Sequence, residues 1–169
     1  MNKQVWIEKA LGLGIQEFEI YQSTTVEKEM TWFQGQMDTL VSSKVTGTSI
    51  RGIVDGKMAN MALEEIDDSM CETVLKSLIE QAHIISNEET DSLRKPEPIE
   101  YAKKDVTWNM ASTEYVKDIL QSLEAKILAY DPRVIQVGYL GYSQGSGSRS
   151  IVNSLGMDVQ DADEMQYIV

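Results

Sequence analysis

The run Gly141-Tyr142-Ser143-Gln144-Gly145 matches G-x-S-x-G, the spacing of a nucleophile elbow. In such an elbow the glycines allow a strained strand-to-helix turn that exposes the serine hydroxyl, and the acid and histidine follow the serine in the chain. No histidine follows Ser143, and the next residues, GSGSRSIVNS, carry no helical pattern. A hydrolase using Ser143 would lack its base, so the run reads better as a Gly/Ser-rich hairpin. His83 is the only histidine. A zinc peptidase helix needs two imidazoles beside a glutamate base, which one histidine cannot supply. Its place near the end of a helix suits a partly buried or dipole-stabilised side chain. Cys71 falls in the first turn of the same helix, where a thiolate is favoured. With no histidine or second cysteine to work with, it reads as a small packing residue. Asp158, Asp161, Asp163 and Glu164 form the densest late acidic cluster but lack calcium-loop spacing, and a solvated strand face accounts for them. Trp6, Trp32 and Trp108 are too scattered for a stacking platform. These residues assemble no catalytic or metal-binding constellation.

The elements that would position them follow from periodicity. A helix is expected over Lys3–Leu13, with Gly14 as its left-handed cap. Phe18 and Ile20 alternate with Glu17, Glu19 and Tyr21, predicting a strand over Glu17–Ser23. Further strands are expected over Val26–Phe33, Gln36–Lys44, Thr48–Val54 and Lys57–Leu63. Asp55-Gly56 between the last two is a strong hairpin signal, since both positions of the tight turn need positive φ. Asp67–Ser86 predicts a helix capped by its leading acids, with Met70, Val74, Leu78 and Ala82 every four residues. A polar stretch over 87–112, with Pro96 and Pro98, reads as a surface connection. A helix then runs over Thr113–Tyr130, with Val116, Ile119, Leu120, Leu123, Ile127 and Leu128 inward, and stops at Asp131-Pro132. Val134–Ser143 and Ser148–Asn153 form the hairpin around Gly145-Ser146-Gly147, and Met157–Val169 starts another strand.

This order predicts an α+β fold, a largely antiparallel β-meander with helices packed on one face, followed by a helix and a further hairpin. The expected organisation is one domain. It has a lobe over 1–86, a linker over 87–112, and a helix-plus-strand part over 113–169. At 169 residues the chain can bury its own core without a disulfide or metal staple. One cysteine and no targeting run point to the cytoplasm, and no stretch approaches a membrane span. Fifteen basic against 27 acidic residues give a net charge of −12, which repels phosphate backbones and argues against direct nucleic-acid binding.

Several stretches resemble, in order, the N-terminal domain of the TldD/PmbA family, also called modulators of DNA gyrase. Leu13-Gly14-Ile15 followed by Glu17-Phe18-Glu19-Ile20-Tyr21 is similar to the family's helix-then-strand opening. Phe33-Gln34-Gly35-Gln36-Met37-Asp38 resembles its next turn. The most specific piece is Gly47-Thr48-Ser49-Ile50-Arg51-Gly52-Ile53-Val54-Asp55-Gly56-Lys57-Met58, a glycine, arginine and hairpin pattern. Ala59 stands where a glycine is usual, and Gly52 replaces a β-branched residue. Asp131-Pro132-Arg133-Val134 and Arg149-Ser150-Ile151-Val152-Asn153-Ser154-Leu155-Gly156 resemble two later segments.

The resemblance marks Gly35, Gly47, Arg51, Asp55, Gly56, Arg133, Asn153, Ser154 and Gly156 as motif residues, mainly structural. It implies a longer parent protein. In the TldD branch a C-terminal domain carries a His-Glu-x-x-x-His zinc motif, and such members resemble peptidases acting on unfolded peptides. The PmbA-like branch lacks the ligands and pairs with a metal-bearing paralogue. None of those ligands maps onto this chain, so no cofactor is expected within it. The implied role is non-catalytic: to brace the catalytic domain, form a dimer interface and wall a peptide cavity. The implied partners are a family paralogue, in a homo- or hetero-oligomer, and a peptide. The alternative is a stand-alone or PmbA-like binding module whose exposed strand edges capture a peptide or a paralogous subunit.

Overall fold

The computed structural model describes residues 1–64, 66–86, 89–98 and 110–169, apart from the Tyr167 side chain. Helix α1 (Lys3–Gly12) starts where the Asn2 side chain accepts from the Val5 N–H, and Gly14 turns the chain at φ +92°. Strands β1 (Glu17–Phe33), β2 (Gln36–Val54) and β3 (Lys57–Leu63) follow. A short 3-10 turn (Asp68–Met70) leads into α2 (Cys71–Ile84), and then come α3 (Thr113–Tyr130), β4 (Leu140–Asn153) and β5 (Asp158–Ile168). The strands form one antiparallel sheet in the order β3-β2-β1-β4-β5, with the helices making the fold α+β. Trp108 and much of the polar connection lie outside the described residues.

Three strand expectations need correction, the simplest being that the strand expected from Val134 begins at Leu140. The four strands predicted between Glu17 and Val54 are two long ones, because Ser23–Thr25 and Val45–Gly47 continue the ladder instead of turning. Polar, β-branched residues hold a strand as well as a loop once cross-strand partners exist, and Thr24 and Thr46 bond each other across it at 3.0 Å. The hairpin around Gly145-Ser146-Gly147 is likewise absent. Those residues lie inside β4, and the β4–β5 turn comes later, at Ser154–Met157. Asp55-Gly56 does form the expected turn, with φ +48° and +74°, and sets Val54 opposite Lys57 through Thr48 opposite Leu63.

Close contacts divide the chain into two compact units. The first comprises Met1–Thr24, Thr46–Ala102 and Ser148–Asp161. Its core packs Trp6 and Ala10 of α1 and Phe18 and Ile20 of β1 with Ile50 of β2 and Leu75 and Leu78 of α2. The second comprises Thr25–Val45, Lys103–Gly147 and Ala162–Val169. Its core packs Met30 and Trp32 of β1 with Val116 and Leu120 of α3 and Leu140 and Tyr142 of β4. In α3 the buried column is Val116, Leu120 and Glu124, so the third place at this helical spacing goes to an acid, and Leu128 is exposed.

Candidate functional site

In the first unit, two of the sequence-marked residues, Arg51 and Asn153, bond one buried acid, and Ser154 and Gly156 build the turn beside it. Glu19 sits on β1 with its side chain 4% exposed, against 43% for Arg51 on β2. Arg51 donates to the Glu19 Oε1 from Nε at 2.7 Å and reaches it from Nη2 at 2.6 Å. The Asn153 Nδ2 donates to Oε2 at 3.2 Å and to the Arg94 carbonyl at 3.0 Å. The other end of Asn153 builds the β4–β5 turn, its Oδ1 accepting from the Leu155 and Met157 N–H groups, both at 3.0 Å. Ser154 bonds β1 in both directions. Its N–H donates to the Phe18 carbonyl at 2.8 Å, and its Oγ accepts from the Phe18 N–H at 2.9 Å. Gly156, at φ +94°, closes the turn in a conformation that favours glycine.

The alternation sets Glu19 on one face with Glu17 and Tyr21, opposite Phe18 and Ile20. Phe18, Glu19 and Ile20 are instead all buried, because Asn153 and the Arg94 carbonyl close over the second face of the strand. The available signal was the pairing of a mid-strand acid with an arginine on the neighbouring strand, which needs the strand register to be seen.

The remaining motif residues serve the backbone. The Gly56 N–H donates to the Gln16 Oε1 at 3.1 Å, and its carbonyl accepts from the Asp91 N–H at 2.9 Å. Asp55 points to solvent, 3.7 Å from the Nε2 of the exposed His83. Gly47 lines a shallow groove of about 320 Å³ with Tyr21, Ser23, Thr48 and Leu63, which offers hydroxyls but no imidazole. Gly35 belongs to the second unit. Its N–H donates to Glu124 at 3.0 Å, and Glu124 also accepts from the Trp32 Nε1 at 2.7 Å. Among the described residues Arg133 pairs with its neighbour Asp131, and its side chain is 90% exposed. Those bonds hold the Asp131 carboxyl below its ordinary range and push the Arg133 guanidinium up.

The candidate reactive groups are equally quiet. Ser143 lies within β4, near its start, and the strand runs on through Asn153 with no strand-to-helix turn to expose it. Gly141, the first glycine of that motif, makes room for a ring instead, since a Cβ there would meet the Tyr139 Cζ at 2.9 Å. Cys71 is buried in the first core, and that burial pushes its thiol up, opposite to activation by a helix N-terminus. Among the described residues, no three His, Cys, Asp or Glu side chains converge as a metal site. No helix among them is long and apolar enough to cross a membrane.

Comparisons with known proteins place this arrangement. Residues 18–86 match the PmbA/TldA metallopeptidase domain 1, and residues 107–168 match the central domain of the same family. No curated protein matches the chain. A candidate modulator of a DNA gyrase from Thermotoga maritima superposes with a TM-score of 0.81 at 18% identity, covering 98% of this chain and 37% of its own. TldE from Thermococcus kodakarensis gives 0.78 at 19%, covering 98% and 38%. A candidate modulator of DNA gyrase from Bacteroides thetaiotaomicron gives 0.74 at 18%, again covering 98% and 38%. At such identities the superpositions speak for the fold alone, and this chain spans well under half the length of each of those proteins.

Proposed function

Because the chain belongs to the PmbA/TldD metallopeptidase family, we propose that it is a non-catalytic part of a peptidase assembly. It braces a catalytic domain, supplies a subunit interface and helps wall a cavity in which unfolded peptides are cut. The supporting observation is what the motif residues do. Arg51 and Asn153 bond Glu19, Ser154 and Gly156 build the adjoining turn, and among the described residues none of the four bonds a histidine, a cysteine or another serine.

The residues do not fit a zinc peptidase centre. One histidine is present, and it faces Asp55 on the surface. In this reading, zinc belongs to a later domain of the parent protein or to a metal-bearing paralogue with which the chain forms a homo- or hetero-oligomer. The assembly works in the cytoplasm on peptide, without nucleic acid or membrane.

The test is peptide cleavage followed by mass spectrometry, with unfolded casein peptides and added zinc. The protein alone is expected to leave the peptides intact, and cleavage is expected only when a metal-bearing family member is added. Zinc-dependent turnover by this protein alone, or turnover abolished by Ser143→Ala, overturns the assignment.

A further inference from the structure

We propose that the open edge of β2 over Met37–Val45 joins two copies of this chain, strand to strand and antiparallel, about a two-fold axis at Val41. This deepens the interface role above and rests on that reading for the premise that the chain works in an assembly.

The observation is an unusually bare strand. β3 pairs with β2 from Thr48 to Val54, and β1 lies on the other side, so among the described residues the outer edge of β2 before Thr48 has no neighbouring strand. Among the described residues no loop backbone bonds to it either. Met37, Leu40, Val41 and Val45 are exposed large apolar side chains, Val45 at 64% and Val41 at 54%. Edge strands are ordinarily protected by proline, several charges, a bulge or a cover, because their free N–H and C=O groups recruit other strands. Here Gln36–Gly47 holds no proline, one Asp and one Lys, and is therefore neutral within a chain of net charge −12.

Those two charges select both the occupant and the register. A two-fold axis at Val41 sets Asp38 opposite the partner's Lys44, and Lys44 opposite the partner's Asp38. The same register sets Met37 opposite the partner's Val45, Thr39 opposite the partner's Ser43, and Val41 opposite the partner's Val41. Opposite charges and apolar pairs facing directly across antiparallel strands are stabilising, and like charges there are not. Since these are the only charges in the stretch, this is the one antiparallel self-pairing that neutralises both. A self-complementary patch of this kind is what a two-fold dimer requires. Among the described residues, the hydrogen bond to Asp38 is a 3.3 Å one from the Thr31 hydroxyl to Oδ2, which leaves Oδ1 for the partner.

Sedimentation equilibrium and oxidative cross-linking test this on the intact protein. The expected result is a reversible dimer that either Asp38→Lys or Lys44→Asp weakens by about tenfold, because each reversal turns both symmetric pairs into like charges. The double swap, Asp38→Lys with Lys44→Asp, restores it. Val41→Cys cross-links the dimer through itself, since residues on the axis fall within disulfide reach, whereas Thr39→Cys alone does not. The native Cys71 is buried and does not compete. A monomer at every concentration overturns the proposal, as does a dimer indifferent to both charge reversals or an edge that takes up an extended peptide instead. None of these outcomes alters the peptide-cleavage result, which decides the non-catalytic assignment separately.

Discussion

Replacing Arg51 with methionine removes the cation over Glu19 while keeping most of the volume of the side chain. In the intact protein the Glu19 Oε1 takes both arginine contacts, at 2.6 and 2.7 Å, and Oε2 takes only the longer Asn153 bond at 3.2 Å. After the substitution, a carboxylate 4% exposed keeps that single amide donor. Hydrogen bonds to charged groups are each worth about 1.5–3 kcal/mol, and a buried acceptor left without its partner costs a similar amount. Arg51 is partly hydrated, so the pair behaves between the surface and buried limits, and the expected loss is about 2–3 kcal/mol. Arg51→Lys keeps a charge but loses the planar donor group, and should fall between the two. Glu19→Gln keeps an acceptor oxygen and removes the charge, so the double variant is expected to lose less than the sum of the singles. Urea unfolding followed by tryptophan fluorescence and circular dichroism gives all four corners of the cycle. Arg51→Met within about 0.5 kcal/mol of the parent, a typical surface substitution, would refute the claim that this acid depends on the arginine.

Two further outcomes follow from the first core. A Cβ on Gly52 would lie 2.9 Å from the Ile15 Cγ2 and 3.0 Å from the Leu78 Cδ2, so Gly52→Val should overpack the core. The expected cost is about 1–3 kcal/mol in urea unfolding, and a variant as stable as the parent would show that Ile15 and Leu78 yield freely. Asp68 is held below its ordinary value of 3.8, first by the Asn2 N–H and then by the Trp6 indole N–H. A depressed carboxyl contributes stability that is present above its unfolded value and is lost as pH falls through the folded one. Stability should therefore fall below pH 3.8 and fall less steeply in Asp68→Asn, with Trp6 emission as the local probe. An unchanged acid limb in that variant would contradict the assignment.

Helices, the Asp55-Gly56 turn and the α+β class were legible because each rests on local chemistry: a cap, a period of about four, a backbone φ. Strand lengths were not. Thr24, Thr46 and the glycines of β4 carry turn-like composition, and only cross-strand partners show that the ladder runs through them. The same limit hid Glu19 and Glu124. Alternation places a mid-strand acid outward, and helical spacing places an acid on the wet face, unless a distant donor is known to meet it. Those donors are Arg51, Asn153 and the Trp32 indole, between 32 and 134 residues away in sequence. The motif residues themselves were visible, but their convergence around Glu19 depended on the β1–β4 pairing, which no local rule provides.

That convergence bears on what the motif residues contribute in the non-catalytic role proposed above. A peptidase cavity requires walls whose strands keep their register, since a slip of one residue would turn every inward side chain outward. In the first unit, register is pinned where β1 meets the β4–β5 turn: Ser154 grips Phe18 from both sides, and Asn153 ties that turn to Glu19 and, through it, to Arg51 on β2. Three strands are thereby held by polar groups that alternative registers would leave buried and unpaired, a penalty far steeper than the loss of apolar contacts alone. Residue types that look like chemistry, an arginine, an acid, an asparagine and a serine, are consumed in this lock. They favour one sheet register over its slipped alternatives, and under the proposed role that geometry is what holds a strand edge in place for a second copy of the chain.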